Sequence, residues 1–270
     1  MPTTRALGPV TVIPLPDGEG TFPDPRTAMF PEATPELWAA ADALDPGAVT
    51  PGGEWYLRYR CFALRLESGR IILVDAGIGP ADSPAATWAP VPGRLPAELM
   101  AAGIDPADVD TVVLTHLHTD HIGWAVIGEP GVPYFRNARY LMQAVEVGAI
   151  RAGSEHLTRR LLAPLGAQLS TVDGRERLAP GISVVATPGH TPGHQCVLLE
   201  HGEDAILFTG DLLVHAIQVI DPELAYGGET DPAAARDSRL GMLRDLAGRG
   251  GETLLATPHL TEPFTTPTER

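Results

Sequence analysis

The 270-residue sequence contains no lysine: its 19 basic residues are all arginines, set against 34 acids for a formal net charge of −15. Without lysine, Schiff-base chemistry and a lysine nucleophile are excluded. So acidic a chain repels polyanions at long range, which argues against nucleic acid or an anionic membrane surface as a partner. Two cysteines, Cys61 and Cys196, are too few for a disulfide framework. Both fall in strand-like stretches, where they read as buried free thiols. No apolar run nears the roughly 18 residues that a membrane span needs. The N-terminus, Met1-Pro2-Thr3-Thr4-Arg5-Ala6-Leu7-Gly8-Pro9, lacks the charged start and apolar stretch of a signal peptide. The expected setting is the cytoplasm. Hydrophobic content of 44% is ample for a core.

What the chain does have is concentrated in Thr115-His116-Leu117-His118-Thr119-Asp120-His121-Ile122-Gly123. The apolar, β-branched run just before it, Val112-Val113-Leu114, has the character of a strand buried on both faces. In an extended backbone His116 and His118 point one way and Leu117 the other, toward the core. Asp120 and His121 follow where the chain must turn, and Gly123 permits that turn. Two imidazoles can then hold one borderline-soft cation, and a carboxylate with a third imidazole can hold another close by.

Elsewhere the chain alternates strands and helices. Val10 to Ile13 reads as a first strand stopped by Pro14 and Pro16. Residues 17–54 are rich in Pro, Gly and Asp, with a helix from Glu36 to Leu44 entered through Thr34-Pro35. So long a connection is expected to cover the active-site mouth or to form the contact of a homodimer. Tyr56 to Leu66 and Arg70 to Val74 form a hairpin that ends in Asp75-Ala76-Gly77. Asp75 is expected to anchor the metal loop by hydrogen bonds. After a loop at 79–95 and a helix at 96–102 comes the strand of the motif. Further strands are expected at 140–142, 168–172, 182–187, 196–199, 205–209 and 253–257. Helices are expected near 144–151 and 155–163, with another that begins at Pro232 behind an Asp231 cap. The elements fall into two similar halves, about 1–165 and 166–270, within a single domain. That pattern suggests two sheets packed face to face with helices outside.

Three more ligand types stand just past buried strands: His190 after Ile182–Thr187, Asp211 after Ala205–Thr209, and His259 after Thr253–Thr257. Strand ends are rigid platforms from which loops can converge. Five histidines and two aspartates suit a two-cation site with positions left for water and substrate.

The arrangement resembles the metallo-β-lactamase superfamily across nearly the whole chain. His116-Leu117-His118-Thr119-Asp120-His121 matches its signature motif, and Thr187-Pro188-Gly189-His190-Thr191-Pro192-Gly193-His194 matches its second histidine motif. Gly210-Asp211 and His259 complete the pattern. The resemblance implies an α/β fold, the four-layer αββα sandwich, with His116, His118 and His190 on one metal and Asp120, His121 and His259 on the other. Asp211 would bridge the two. His194 matches no ligand of the family and is expected behind the ligands. His215, four residues past Asp211, is a candidate to reach substrate, and Trp124 is a candidate pocket wall, as are Trp55, Trp88 and Phe135. Gly210-Asp211-Leu212-Leu213-Val214-His215 with Gln218-Val219 looks like the branch of methyl parathion hydrolase and related lactonases. The Gly-His-Thr-Pro-Gly-His-Gln run is similar to N-acyl homoserine lactonases, which carry a tyrosine where this chain has Val214.

The implied enzyme is a dinuclear hydrolase. Two zinc ions about 3.5–4 Å apart would bring a bridging water toward neutral pKa, and the hydroxide would attack an ester, lactone or phosphotriester. The same donors also accept Fe, Mn or Co. Asp120 is the catalytic candidate, orienting the nucleophile and passing a proton to the leaving group. The substrate is expected to be a small, partly apolar molecule. A glutathione thioester hydrolase of the glyoxalase II kind shares the metals but wants a basic site, which a lysine-free chain does not offer. An iron persulfide dioxygenase would leave Asp120, His121 and His259 without a common purpose.

Overall fold

The computed structural model describes residues 4–268, which form two sheets. The first contains β1 (Arg5–Leu7), β2 (Val10–Thr21), β3 (Tyr56–Leu66), β4 (Ile71–Val74) and β5 (Val109–Val113). Beyond these a small ribbon, β6 (Val126–Ile127) and β7 (Val132–Pro133), precedes the last two strands of the sheet. They are β8 (Arg139–Gln143) and β9 (Leu169–Val172). The second sheet runs β10 (Arg175–Ala179), β11 (Ile182–Ala186), β12 (Gln195–His201), β13 (Asp204–Phe208), β14 (Thr253–Ala256) and β15 (Phe264–Thr265).

Period-2 alternation divides the strands between layers. In β4, Ile72 and Val74 face the second sheet, while Ile71 and Leu73 face the helices Leu95–Ala101 and Ala144–Gly153. Between the sheets lies a core that includes Phe62, Val113, Leu141, Val184, Leu199 and Phe208. Behind the second sheet, Leu198, Leu207 and Leu255 pack on Met242 and Leu246 of the helix Pro232–Ala247. Helix, sheet, sheet and helix follow in order: the αββα sandwich.

Three local expectations change. β2 continues through Pro14 and Pro16 to Thr21. Its pairing with β1 ends at Val10–Val12, so both prolines lie where β2 is an open edge and no ladder donor is missed. The Arg175–Ala179 stretch, between the strands expected at 168–172 and 182–187 and read as loop, is a strand: its charged residues suit the outer edge of the second sheet. The change of sheet falls at Asp173-Gly174 rather than near 164–166, because β9 still pairs with β8. The 22–54 connection carries helices Arg26–Met29 and Pro35–Leu44. Thr34 caps the second by accepting from Leu37 N–H at 3.3 Å. No helix among the described residues is long and apolar enough to cross a membrane.

Strand direction positions the site. β4, β5 and β8 are parallel neighbours. β11 and β13 are each antiparallel to β12, and β14 is parallel to β13, so β11, β13 and β14 share one direction. The loops after β5, β11, β13 and β14 therefore converge at one rim.

Candidate metal centre

That rim gathers all seven ligand types. Donor atoms of His116, His118, His190 and Asp211 lie within 4.8 Å of one another, and so do those of Asp120, His121 and His259. The Asp211 carboxylate stands between the groups. Its Oδ2 is 3.2 Å from His190 Nε2 and 3.7 Å from His116 Nε2. Its Oδ1 is 3.1 Å from His259 Nε2 and 3.2 Å from His121 Nε2. Asp120 Oδ2 lies 3.5 Å from His121 Nε2 and 3.7 Å from His259 Nε2. Of the seven, His118 is the one that opens to solvent.

The donor set fits cations. Nε2 of His116 and of His121 are buried and have no hydrogen-bond partner. Leaving such atoms unpaired is costly unless a ligand takes them. Burial works against a charge on Asp211, yet His121, His259, His190 and His116 hold its carboxyl well below the usual range. Burial also opposes a proton on His121, but Asp211, Asp120 and Asp75 raise its affinity well above that of an ordinary imidazole. Two carboxylates converge on five imidazoles, a field that favours positive charge at the centre. All-nitrogen and oxygen ligation of this kind suits zinc and neighbouring transition ions.

Second-layer contacts orient the ligands. Asp75 Oδ2 lies 2.8 Å from His121 Nδ1, turning Nε2 inward. The Arg58 carbonyl, 2.8 Å from His259 Nδ1, does the same there. His194 Nε2 accepts the Asp211 backbone N–H at 3.0 Å, while its Nδ1 faces Thr187 Oγ1 at 2.8 Å. Burial, with His190 nearby, pushes the His194 pKa down to about 3, keeping the ring a neutral acceptor. Gly123 has an ordinary helical φ of −58° and is not needed for the turn. It is needed for space: a Cβ there would sit 2.2 Å from the Ile78 carbonyl carbon.

Glu146 is a site residue that sequence reasoning missed. Fully buried, it accepts Leu117 N–H at 3.0 Å through one oxygen and Gly193 N–H at 2.7 Å through the other. It thereby clamps the two histidine loops together. The available signal was a carboxylate in the first turn of the Ala144–Gly153 helix, right after a buried strand.

A cavity of about 460 Å³ opens over the cluster, lined by Phe22, Trp55, Leu57, Trp88, Val214 and Tyr226 among others. Residues 22–24, from the long early connection, form part of its wall. Trp124 does not line it: the indole N–H donates to buried Asp17 at 3.1 Å and the ring packs in the core behind the first sheet. Phe135 is likewise wholly buried there. His215 does not reach the cavity either. Its ring is caged by Phe30, Trp38 and Trp55, and its Nδ1 accepts the Ile217 N–H at 3.0 Å, capping helix Ala216–Ile220.

Residues 59–259 match the family model described as Metallo-beta-lactamase superfamily. An N-acyl homoserine lactonase of Bacillus cereus is 30% identical over 193 residues, 67% of this chain and 73% of that protein. Among solved structures, the hydrolase AbOPH "in beta lactamase superfamily" aligns with a TM-score of 0.78 at 26% identity, over 97% of this chain and 91% of that one. AidC, a dizinc quorum-quenching lactonase in complex with a homoserine product, aligns equally well (0.78), at 21% identity over 98% and 92%.

Proposed function

The chain belongs to the metallo-beta-lactamase superfamily, and from that premise we propose a two-zinc hydrolase of neutral lactones or esters that carry an apolar substituent. The observation that carries the substrate class is the cavity: aromatic and aliphatic walls, no arginine, and Asp24 as a third acid beside Asp120 and Asp211. A neutral acyl or alkyl chain gains by burial there at about 25 cal/mol per Å². The carboxylates of a glutathione thioester would meet acids instead.

When bound, the two cations supply hydroxide at neutral pH and polarise the scissile carbonyl. His116, His118 and His190 would hold one, Asp120, His121 and His259 the other, with Asp211 offering one oxygen to each. The chain's own residues do the rest. Asp120, lining the cavity, orients the nucleophile through one carboxylate oxygen and carries a proton at that oxygen to the leaving alkoxide. Asp75 and His194 keep His121 and Asp211 aimed. Trp55, Trp88 and Leu57 exclude bulk water and strengthen every polar contact inside. Two buried free thiols, Cys61 and Cys196, support a reducing, cytoplasmic setting.

Zinc-loaded protein should hydrolyse medium-chain lactones and aryl esters at rates well above S-lactoylglutathione. Preferential turnover of the thioester would move the assignment to the glyoxalase II class. One metal per chain in fully active protein would defeat the dinuclear reading.

A further inference from the structure

Tyr226 stands on the loop between helices Ala216–Ile220 and Pro232–Ala247 and lines the cavity. Its ring stacks over His190, centroids 6.0 Å apart and planes 14° from parallel, with Phe30 and Trp55 on its flanks. The loop is fixed from behind by a buried ion pair. Arg239 Nη1 donates to Glu229 Oε1 at 2.9 Å, and both side chains are 1% exposed. The other Glu229 oxygen accepts the Tyr226 backbone N–H at 3.1 Å. The same guanidinium donates to the carbonyls of Leu212, Pro222 and Leu224. One arginine thus sets the Tyr226 loop against the residue that follows Asp211.

A phenylalanine would make every ring contact just described, so packing does not call for the hydroxyl. A phenol keeps its proton at neutral pH, so the hydroxyl is able to donate. Donors are scarce on this wall, and the Trp88 indole N–H is already given to Thr119 Oγ1 at 2.9 Å. A neutral substrate brings carbonyl oxygens that need donors as they leave water.

We propose that Tyr226 is a further substrate-binding residue, donating a hydrogen bond from its hydroxyl to a carbonyl oxygen of the lactone or ester held beside His190. This rests on the hydrolase reading. The test compares zinc-loaded wild type with Tyr226→Phe, using γ-nonalactone as substrate and 2-pentylcyclopentanone, a ketone with no cleavable bond, as binding probe. Binding is followed by quenching of tryptophan fluorescence. The expected result is a loss of about 10-fold in kcat/KM, carried mainly by KM, with a similar loss of ketone affinity. Metal content and circular dichroism should be unchanged. Kinetics and ketone affinity both within two-fold of wild type would overturn the proposal. So would loss of metal in parallel with activity, which would make Tyr226 a prop for His190. If wild type hydrolyses no lactone or ester, the hydrolase reading fails separately, and the ratio of ketone affinities still decides the role of Tyr226.

Discussion

Asp75 and His121, 46 residues apart in sequence, meet through a 2.8 Å contact between Oδ2 and Nδ1 at the centre of the fold. The same carboxylate accepts the Thr115 N–H at 2.8 Å and the Thr115 hydroxyl at 3.0 Å. Asp75 is also the one non-glycine residue at positive φ (62°) among the described residues, a conformation that aspartate tolerates better than most. Its position at the end of β4 places it beneath the loop that follows β5, the next strand in the sheet. Asp75→Asn keeps the shape but removes the charge that steadies His121. We expect metal affinity to fall about 10–100-fold, measured as residual zinc after dialysis against a graded chelator. Unchanged zinc retention would show that backbone geometry alone aims His121.

Asp211 and His194 test the difference between a group at the centre and one behind it. Asp211→Asn removes charge from a carboxylate whose two oxygens face the two ligand groups. A folded protein is expected, with weakened zinc binding and a rate loss of about 100-fold or more, some 2.7 kcal/mol of transition-state stabilisation. His194→Ala, which frees one backbone N–H, should cost about 10–100-fold. The reverse ordering in paired kinetics and zinc analysis would contradict the placement of the two residues.

Glu146→Gln replaces one acceptor oxygen with an NH2 donor and so leaves one of two buried N–H groups, Leu117 or Gly193, without an acceptor. The expected cost is about 1–3 kcal/mol of stability, read from urea unfolding. Zinc content at limiting metal should fall as well, because the clamp joins the loops of His116 and His190. A stability loss with full zinc retention would confine Glu146 to packing.

His215 gives a pH dependence whose sign is fixed. Burial, with Arg26 nearby, pushes its pKa from 6.5 in the unfolded chain down to about 3. Above pH 6.5 the ring is neutral in both states and adds no slope. Below 6.5 the unfolded chain takes up a proton that the folded chain refuses, so stability falls steadily until about pH 3. His215→Asn keeps an acceptor for the helix cap and should flatten the decline between pH 6.5 and 4.5 by up to about 1.4 kcal/mol per pH unit. Equal slopes for variant and wild type in urea titrations at pH 7 and pH 5 would show that the caged ring does titrate.

The ligand types, the alternation that sends Leu117 into the core while His116 faces the site, and most strands were legible in the sequence. These depend on backbone geometry over a few residues, and the αββα order follows from which faces are apolar. Tertiary structure decided what depends on distant segments. Pro14 and Pro16 look like strand breakers until the edge beyond β1 removes the need for their missing N–H groups. Trp124 adjoins the histidine motif in sequence, but the close approach of Gly123 to Ile78 turns the chain inward, where Asp17 takes the indole. Trp55 and Tyr226 reach the cavity from opposite ends of the chain, and Glu146 reaches both histidine loops from a helix between them. Local spacing fixed what each loop could offer. Sheet register and strand direction fixed which loops meet, because a strand's neighbours are chosen by packing across the whole core and leave no mark within any short stretch of sequence.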